Sequence, residues 1–206
     1  MTARSSPAAL RNRAPILKAL RPRLPERGRV LELAAGTGEH AVFLSCALPG
    51  LEWTPTDVDP EALASVQARR AAEGPPNLRP PARLDATDPG TWPPGPFEAV
   101  LCINMIHIAP WTAAEGLMRL AASRLSADGL LYLYGPFRED AVPTAPSNEA
   151  FDASLKARDP AWGLRRVEDV AALALEHGLA LQERIEMPAN NLSLFFRRTD
   201  APPAGL

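Results

Sequence analysis

The stretch "GRVLELAAGTGEHAV", Gly28 to Val42, opens as an apolar run and closes in a glycine turn. The run is strand-like, and the apolar residues after Gly38 are spaced as on a helix face, so the stretch reads as strand, tight turn, helix. Gly36 and Gly38 let a ligand approach the backbone of the turn, and the helix behind it offers N–H groups. One acid, Glu32, sits inside the apolar run just before the turn. A carboxylate there needs a chemical reason.

Outward from this stretch, strand and helix alternate. "RVLELA" (29–34) is predicted as strand and "EHAVFLSCAL" (39–48) as helix, then "LEWTPT" (51–56) as strand and "PEALASVQARRAAEG" (60–74) as helix, with Pro at its start and Gly at its end. "NLRPPARL" (77–84) reads as a proline-interrupted edge strand and 85–96 as loop. "FEAVLCINM" (97–105) is a buried strand, "WTAAEGLMRLAASRL" (111–125) a helix and "GLLYLYG" (129–135) a strand. Residues 136–165 then break the rhythm as an insert too long for a simple connection. "VEDVAALALEHG" (167–178) returns to helix, and 179–187 with 191–198 form a terminal strand pair. Residues 1–28 read as a basic N-terminal helix and 199–206 as a tail, leaving one domain over 29–198. Such alternation implies an α/β sheet, mostly parallel and covered on both faces, which binds ligands at the carboxyl ends of its strands.

Gly36-Thr37-Gly38-Glu39-His40-Ala41 matches the dinucleotide pattern GxGxxA, with Asp57 21 residues beyond Gly36. An acid at the end of the second strand suits the ribose of any adenosine cofactor. Glu32 discriminates, because a carboxylate beside the turn opposes a pyrophosphate and suits a cationic group instead. S-adenosylmethionine carries an ammonium and a sulfonium, and Glu-x-small-x-Gly-x-Gly resembles the first motif of class I methyltransferases. The resemblance implies a Rossmann-like class I fold: a seven-stranded, mostly parallel sheet closed by an antiparallel strand, with helices on both faces. It implies Glu32 toward the methionine amino group, Asp57 toward the ribose, and Asp85 with Ala86 toward the adenine. Ala34 stands where that family commonly has its first glycine, a departure expected to shift the turn only slightly.

"RNRAPIL" (11–17), "LCINMIHI" (101–108), "YGPF" (134–137), "SNEAFDASLKARDPAWGLR" (147–165) and "MPANN" (187–191) resemble the methyltransferase-like 26 family, long described only as a domain of unknown function. The likeness runs from about Ser6 to Arg198 and implies the cofactor without naming a substrate.

The acceptor side is read from residue chemistry. Asn104, Met105 and His107 follow the fourth strand, where methyl and substrate meet in this fold; Asn104 could hold a polar group and His107 take a proton, or both could simply fix the loop. Tyr134 faces the same rim, a third catalytic candidate that could orient a substrate or simply pack. In the insert, Ser147, Asn148, Asp152, Arg158, Asp159 and Trp162 are candidate substrate contacts, with Arg158 able to grip an anion or to pair with Asp152 or Asp159 and lock the loop. Asn190 and Asn191 sit in the last hairpin, where Asn191 is a further candidate substrate contact although backbone geometry alone favours Asn there. Arg11 and Asn12, before the stripe Ile16, Leu17, Leu20, suggest a helix that covers the cofactor as a lid.

Residues 1–29 hold eight Lys/Arg against one acid, and the rest carries 14 basic and 23 acidic residues, a net of −9. That surface disfavours nucleic acid. No run is long enough for a membrane span, and the first residues lack a secretory signal's apolar core, so a cytoplasmic protein is expected. Cys46 and Cys102 read as buried free thiols. His40, His107 and His177 lie in separate elements, and no metal-ligand spacing links them. The primary reading is a methyltransferase acting on a small-molecule oxygen, nitrogen or sulfur, as monomer or homodimer. A module that binds the cofactor without turnover and a protein methyltransferase are the alternatives.

Overall fold

In a computed structural model describing residues 4–199, seven strands form one sheet: β1 (Gly28–Leu33), β2 (Leu51–Asp57), β3 (Ala82–Arg83), β4 (Phe97–Ile103), β5 (Leu125–Gly135), β6 (Leu179–Met187) and β7 (Asn191–Arg198). Their order is β3-β2-β1-β4-β5-β7-β6. The first five pair in parallel, and β7 runs antiparallel between β5 and β6. This is the class I methyltransferase arrangement expected from the sequence. The order reverses between β1 and β4, which opens a crevice at their carboxyl ends.

Both faces of the sheet are apolar because both are covered. Leu31, Leu33, Val100, Leu131 and Leu133 pack on one side with α4 (Trp111–Arg124) and α6 (Val167–Glu176). Val30, Trp53, Leu101 and Tyr132 pack on the other with α1 (Pro7–Leu20) and α2 (Glu39–Ala47), while α3 (Pro60–Glu73) lies beside α2. Ser6 caps α1 by accepting the Ala9 N–H, and Asp59 caps α3 by accepting the Glu61 N–H. Gly178, at φ 72°, ends α6.

Several expectations change. The expected strand 77–84 shrinks to Ala82–Arg83 plus a single bridge from Leu78 to Trp53, because Pro80 and Pro81 have no N–H for the ladder. β5 begins at Leu125 rather than at 129, and β4 stops at Ile103, where Asn104 turns to φ 65°. The insert contains an unforeseen helix, α5 (Pro146–Arg158). Cys46 is exposed on α2, not buried, whereas Cys102 is buried and pushed up to about 12 by that burial. Ile16 and Leu20 are 0% exposed, so α1 is a wall of the core and cannot be removed without opening it. Arg11 faces solvent rather than inward. Of the expected tail, residues 200–206 lie outside the described residues.

Candidate cofactor and acceptor site

The turn after β1 is built from left-handed residues: Ala34 (φ 53°), Gly36 (55°) and Gly38 (81°). A Cβ on Gly38 would lie 3.0 Å from the Val66 Cα, so the turn packs against α3 only with glycine there. Ala34 adopts the same region with a Cβ in place, a source of local backbone strain.

Carboxylates organise this turn. Glu32 is 1% exposed, and its Oε2 accepts the Trp53 indole N–H at 2.6 Å. Burial pushes its carboxyl up to about 7; the Trp53 bond opposes the rise and the Asp57 charge adds to it. Asp57 accepts the Gly36 N–H at 2.9 Å through one oxygen and the Asp59 N–H at 3.0 Å through the other. Glu39 has a role the sequence reading missed. It accepts the Ser6 N–H (2.9 Å), the Ser5 hydroxyl (3.0 Å) and the Thr37 hydroxyl (3.1 Å), tying the residues before α1 to the glycine turn. Asp85 accepts the Thr87 hydroxyl and amide, which hold its carboxyl below the usual range, and Ala86 is buried beside it.

At the end of β4 the Asn104 N–H donates to the Tyr134 carbonyl at 2.8 Å, and Met105–His107 make a short turn. His107 is 1% exposed, its ring edge-on to Phe137 at 4.7 Å, and its Nδ1 accepts the Arg165 N–H at 3.4 Å. Burial pushes its imidazole down to about 3. That placement weighs against the general base expected of it: burial weakens the ring's affinity for a proton and closes it off from solvent. Its Nε2 and the Tyr134 hydroxyl have no hydrogen-bond partner among the described residues. Tyr134 is 2% exposed, and burial raises its phenol, with Asn12 as the opposing polar neighbour. Asn12 Oδ1 lies 2.7 Å from His40 Nε2, joining α1 to the helix that follows the turn.

The insert is locked by charge in a pairing the sequence did not disclose. Asp152 is buried and accepts from Lys156 (2.7 Å), the Leu164 N–H (2.8 Å) and Arg138 (3.0 Å). Burial alone would raise its carboxyl, but these donors hold it below the usual range. Arg158, expected as an anion grip or as a partner of Asp152 or Asp159, lies over the Trp162 ring at 4.9 Å. Arg165, unforeseen, donates to the Ile106 and Ala109 carbonyls at 2.9 and 2.7 Å, tying the insert to the loop after β4. Asn148 donates to the Asn190 carbonyl, Asn190 to the Ser147 hydroxyl, and Asn191 to the Pro188 and Ala189 carbonyls.

A cavity of about 260 Å³ opens between the loop after β5, the first turn of α5 and the β6–β7 turn. Asn148 and Asn191 line it, whereas Asn104, His107 and Tyr134, expected to share a cavity with Asn148, do not line this one. Among the described residues no cluster of His, Cys, Asp and Glu could hold a metal ion, and no helix is long and apolar enough to cross a membrane.

Residues 3–198 match the sequence model of a family described as a protein of unknown function, DUF938. The chain belongs to the DUF938 family. The fold of this DUF938 chain is similar to that of the mitomycin 7-O-methyltransferase MmcR (TM-score 0.77, 18% identity), covering 93% of this chain and 54% of MmcR. An O-methyltransferase family protein from Burkholderia thailandensis gives 0.76 and 17%, covering 95% and 58%. CalO1, a methyltransferase in calicheamicin biosynthesis solved with S-adenosylhomocysteine bound, gives 0.71 and 14%, covering 91% and 54%. The DUF938 chain thus spans just over half the length of these proteins.

Proposed function

We propose that this DUF938 protein binds S-adenosylmethionine across the carboxyl ends of β1, β2 and β4 and methylates a small-molecule oxygen, nitrogen or sulfur. Glu32 carries the reading. It is a buried carboxylate with no basic side chain paired to it among the described residues, set beneath a glycine turn, and burial has raised it to about 7. Such a group is stabilised by a cation and destabilised by an anion. The neighbouring residues fit the rest of the cofactor. Asp57 keeps lone pairs for ribose hydroxyls beyond the two amides it accepts, and Val58 beside it is 51% exposed, an apolar surface available to a planar ring. Asp85 and Ala86 would border the adenine, with Asn104 and Met105 at the methyl-bearing end and Asn12 on the α1 side. The cofactor supplies the electrophilic methyl; this chain's part is to hold it, orient the acceptor and exclude water. Likeness to the methyltransferase-like 26 family belongs to the same proposal, supported by the stretches quoted above.

Calorimetry tests it. S-adenosylmethionine and S-adenosylhomocysteine bind and NAD does not; tight NAD binding overturns the assignment. At pH 7 binding also releases protons, because a cation beside Glu32 draws its pKa down, and the heat depends on the buffer's ionisation enthalpy. The closed position of His107 favours a second reading, a module that holds the cofactor without turnover. It is distinguished by the absence of any methylated product when labelled cofactor meets a small-molecule extract.

A further inference from the structure

We propose that the cavity between α5 and the β6–β7 turn is the acceptor pocket and takes a small protonated amine carried on an apolar body. Calling the occupant an acceptor rests on the methyltransferase reading; its binding does not. The position is suitable: Leu192, on the cavity wall, pairs with Gly135, and the neighbouring Tyr134 carbonyl holds the Asn104 amide at the end of β4. Phe137, Val142, Met187 and Leu192 supply apolar walls, and Val142 is left 52% exposed there.

The polar groups select the ligand's sign. Asn148, which is 7% exposed, donates its amide to the Asn190 carbonyl and so presents its own carbonyl oxygen; Asn191 donates to two carbonyls of its turn. Arg184 is bound through two nitrogens to both oxygens of Glu139, at 2.6 and 2.7 Å, and lies 3.1 Å from Glu186. Arg184, Asn148, Asn190 and Asn191 each direct N–H groups to partners within the protein, so much of the donor capacity of the wall is committed, while the Asn148 carbonyl oxygen and the carboxylates of Glu139 and Glu186 offer acceptors. Two carboxylates also share one guanidinium, leaving one surplus negative charge, which sits on Glu186 at the rim with 80% of its side chain exposed. An anionic ligand would meet that surplus, which a neutral one would leave uncompensated. An ammonium supplies donors and offsets the charge. A volume of about 260 Å³ falls below the ~300–1,000 Å³ of sites for drug-sized ligands, which limits the occupant to a small metabolite.

The test uses the full chain labelled with nitrogen-15, following the side-chain amide signals of Asn148, Asn190 and Asn191. Phenethylamine is titrated against 3-phenylpropanoate, an anion of similar size. Phenethylamine shifts these signals saturably and binds about fivefold or more tightly than the anion, and Glu186→Gln, at an exposed side chain that leaves the fold intact, removes most of that preference. The inference is overturned if the anion binds as tightly, if the shifts map elsewhere, or if neither probe binds. S-adenosylhomocysteine binding, measured in parallel, separates the two claims. Cofactor binding without amine binding defeats this inference alone, and the reverse defeats the methyltransferase reading while the pocket stands.

Discussion

On the β1–β3 side of the sheet, carboxylates hold backbone amides; on the β5–β7 side, guanidinium groups hold carbonyls and acids. Asp57, Asp85 and Glu39 accept from amides and hydroxyls of the turns around them, which fixes the turns and leaves a rim rich in acceptors. Arg138 instead holds α5 to the start of the insert, and Arg165 and Arg184 bridge segments far apart in the chain, tying the insert to the loop after β4 and to β6. The first arrangement is the one that the proposed cofactor, with its positive charge and hydroxyls, would meet. The second holds the insert in place with its own charges, and what it leaves open is the cavity at its edge.

The largest effect that would break this contrast concerns Glu32. Its folded pKa, about 7, lies above the ordinary 4.5, so the native ligand-free protein holds a proton that the unfolded chain releases. Its contribution is fully present below pH 4.5 and lost as pH rises through 7, a fall of about 3 kcal/mol. His40 and His107, pushed down to about 4 and 3, contribute the opposite slope, so the measurement is the difference between parent and Glu32→Gln in urea unfolding at pH 5 and pH 8. The variant is the more stable at pH 8 and binds S-adenosylmethionine more weakly. A pH-independent difference would place Glu32 outside the site's electrostatics.

Asp152→Ala tests the other side. Losing a buried acceptor with three donors costs about 2 kcal/mol and raises hydrogen exchange across 138–165, with cofactor affinity unchanged. A parallel loss of cofactor affinity would show that the two sides are coupled. Asp57→Ala lowers cofactor affinity about tenfold, roughly 1.4 kcal/mol, read by calorimetry. Smallest is Ala34→Gly, which relieves a left-handed alanine and raises stability by about 1 kcal/mol in thermal or urea unfolding.

The β1–β3 side was legible because its chemistry is local. A glycine turn, an acid before it and an acid 21 residues later all lie within one short βαβ unit, so their spacing can be read without the rest of the fold. The other side was hidden for the same reason in reverse. His107 looks like a base in "NMIH", and only Phe137 and Arg165, 30 and 58 residues further along, close it off. α5 escaped notice because its buried residues are Asn148, Asp152 and Leu155, two of them polar, so its inward face carries no apolar period. Asp152 finds Arg138 and Lys156 rather than Arg158 because α5 turns Arg158 toward Trp162.

The placement of β7 between β5 and β6 bears on how the chain is made. The edge of β5 that β7 covers, Leu130 to Gly135, has no partner until residues 192–197 have been synthesised. Through that interval a strand carrying Tyr132 and Tyr134, both buried in the finished sheet, presents an open ladder, the kind of edge that recruits other chains. β7, later in the chain than every other strand of this sheet, is therefore the one that closes it, and chains interrupted before it are those most exposed to aggregation and to the cell's quality control.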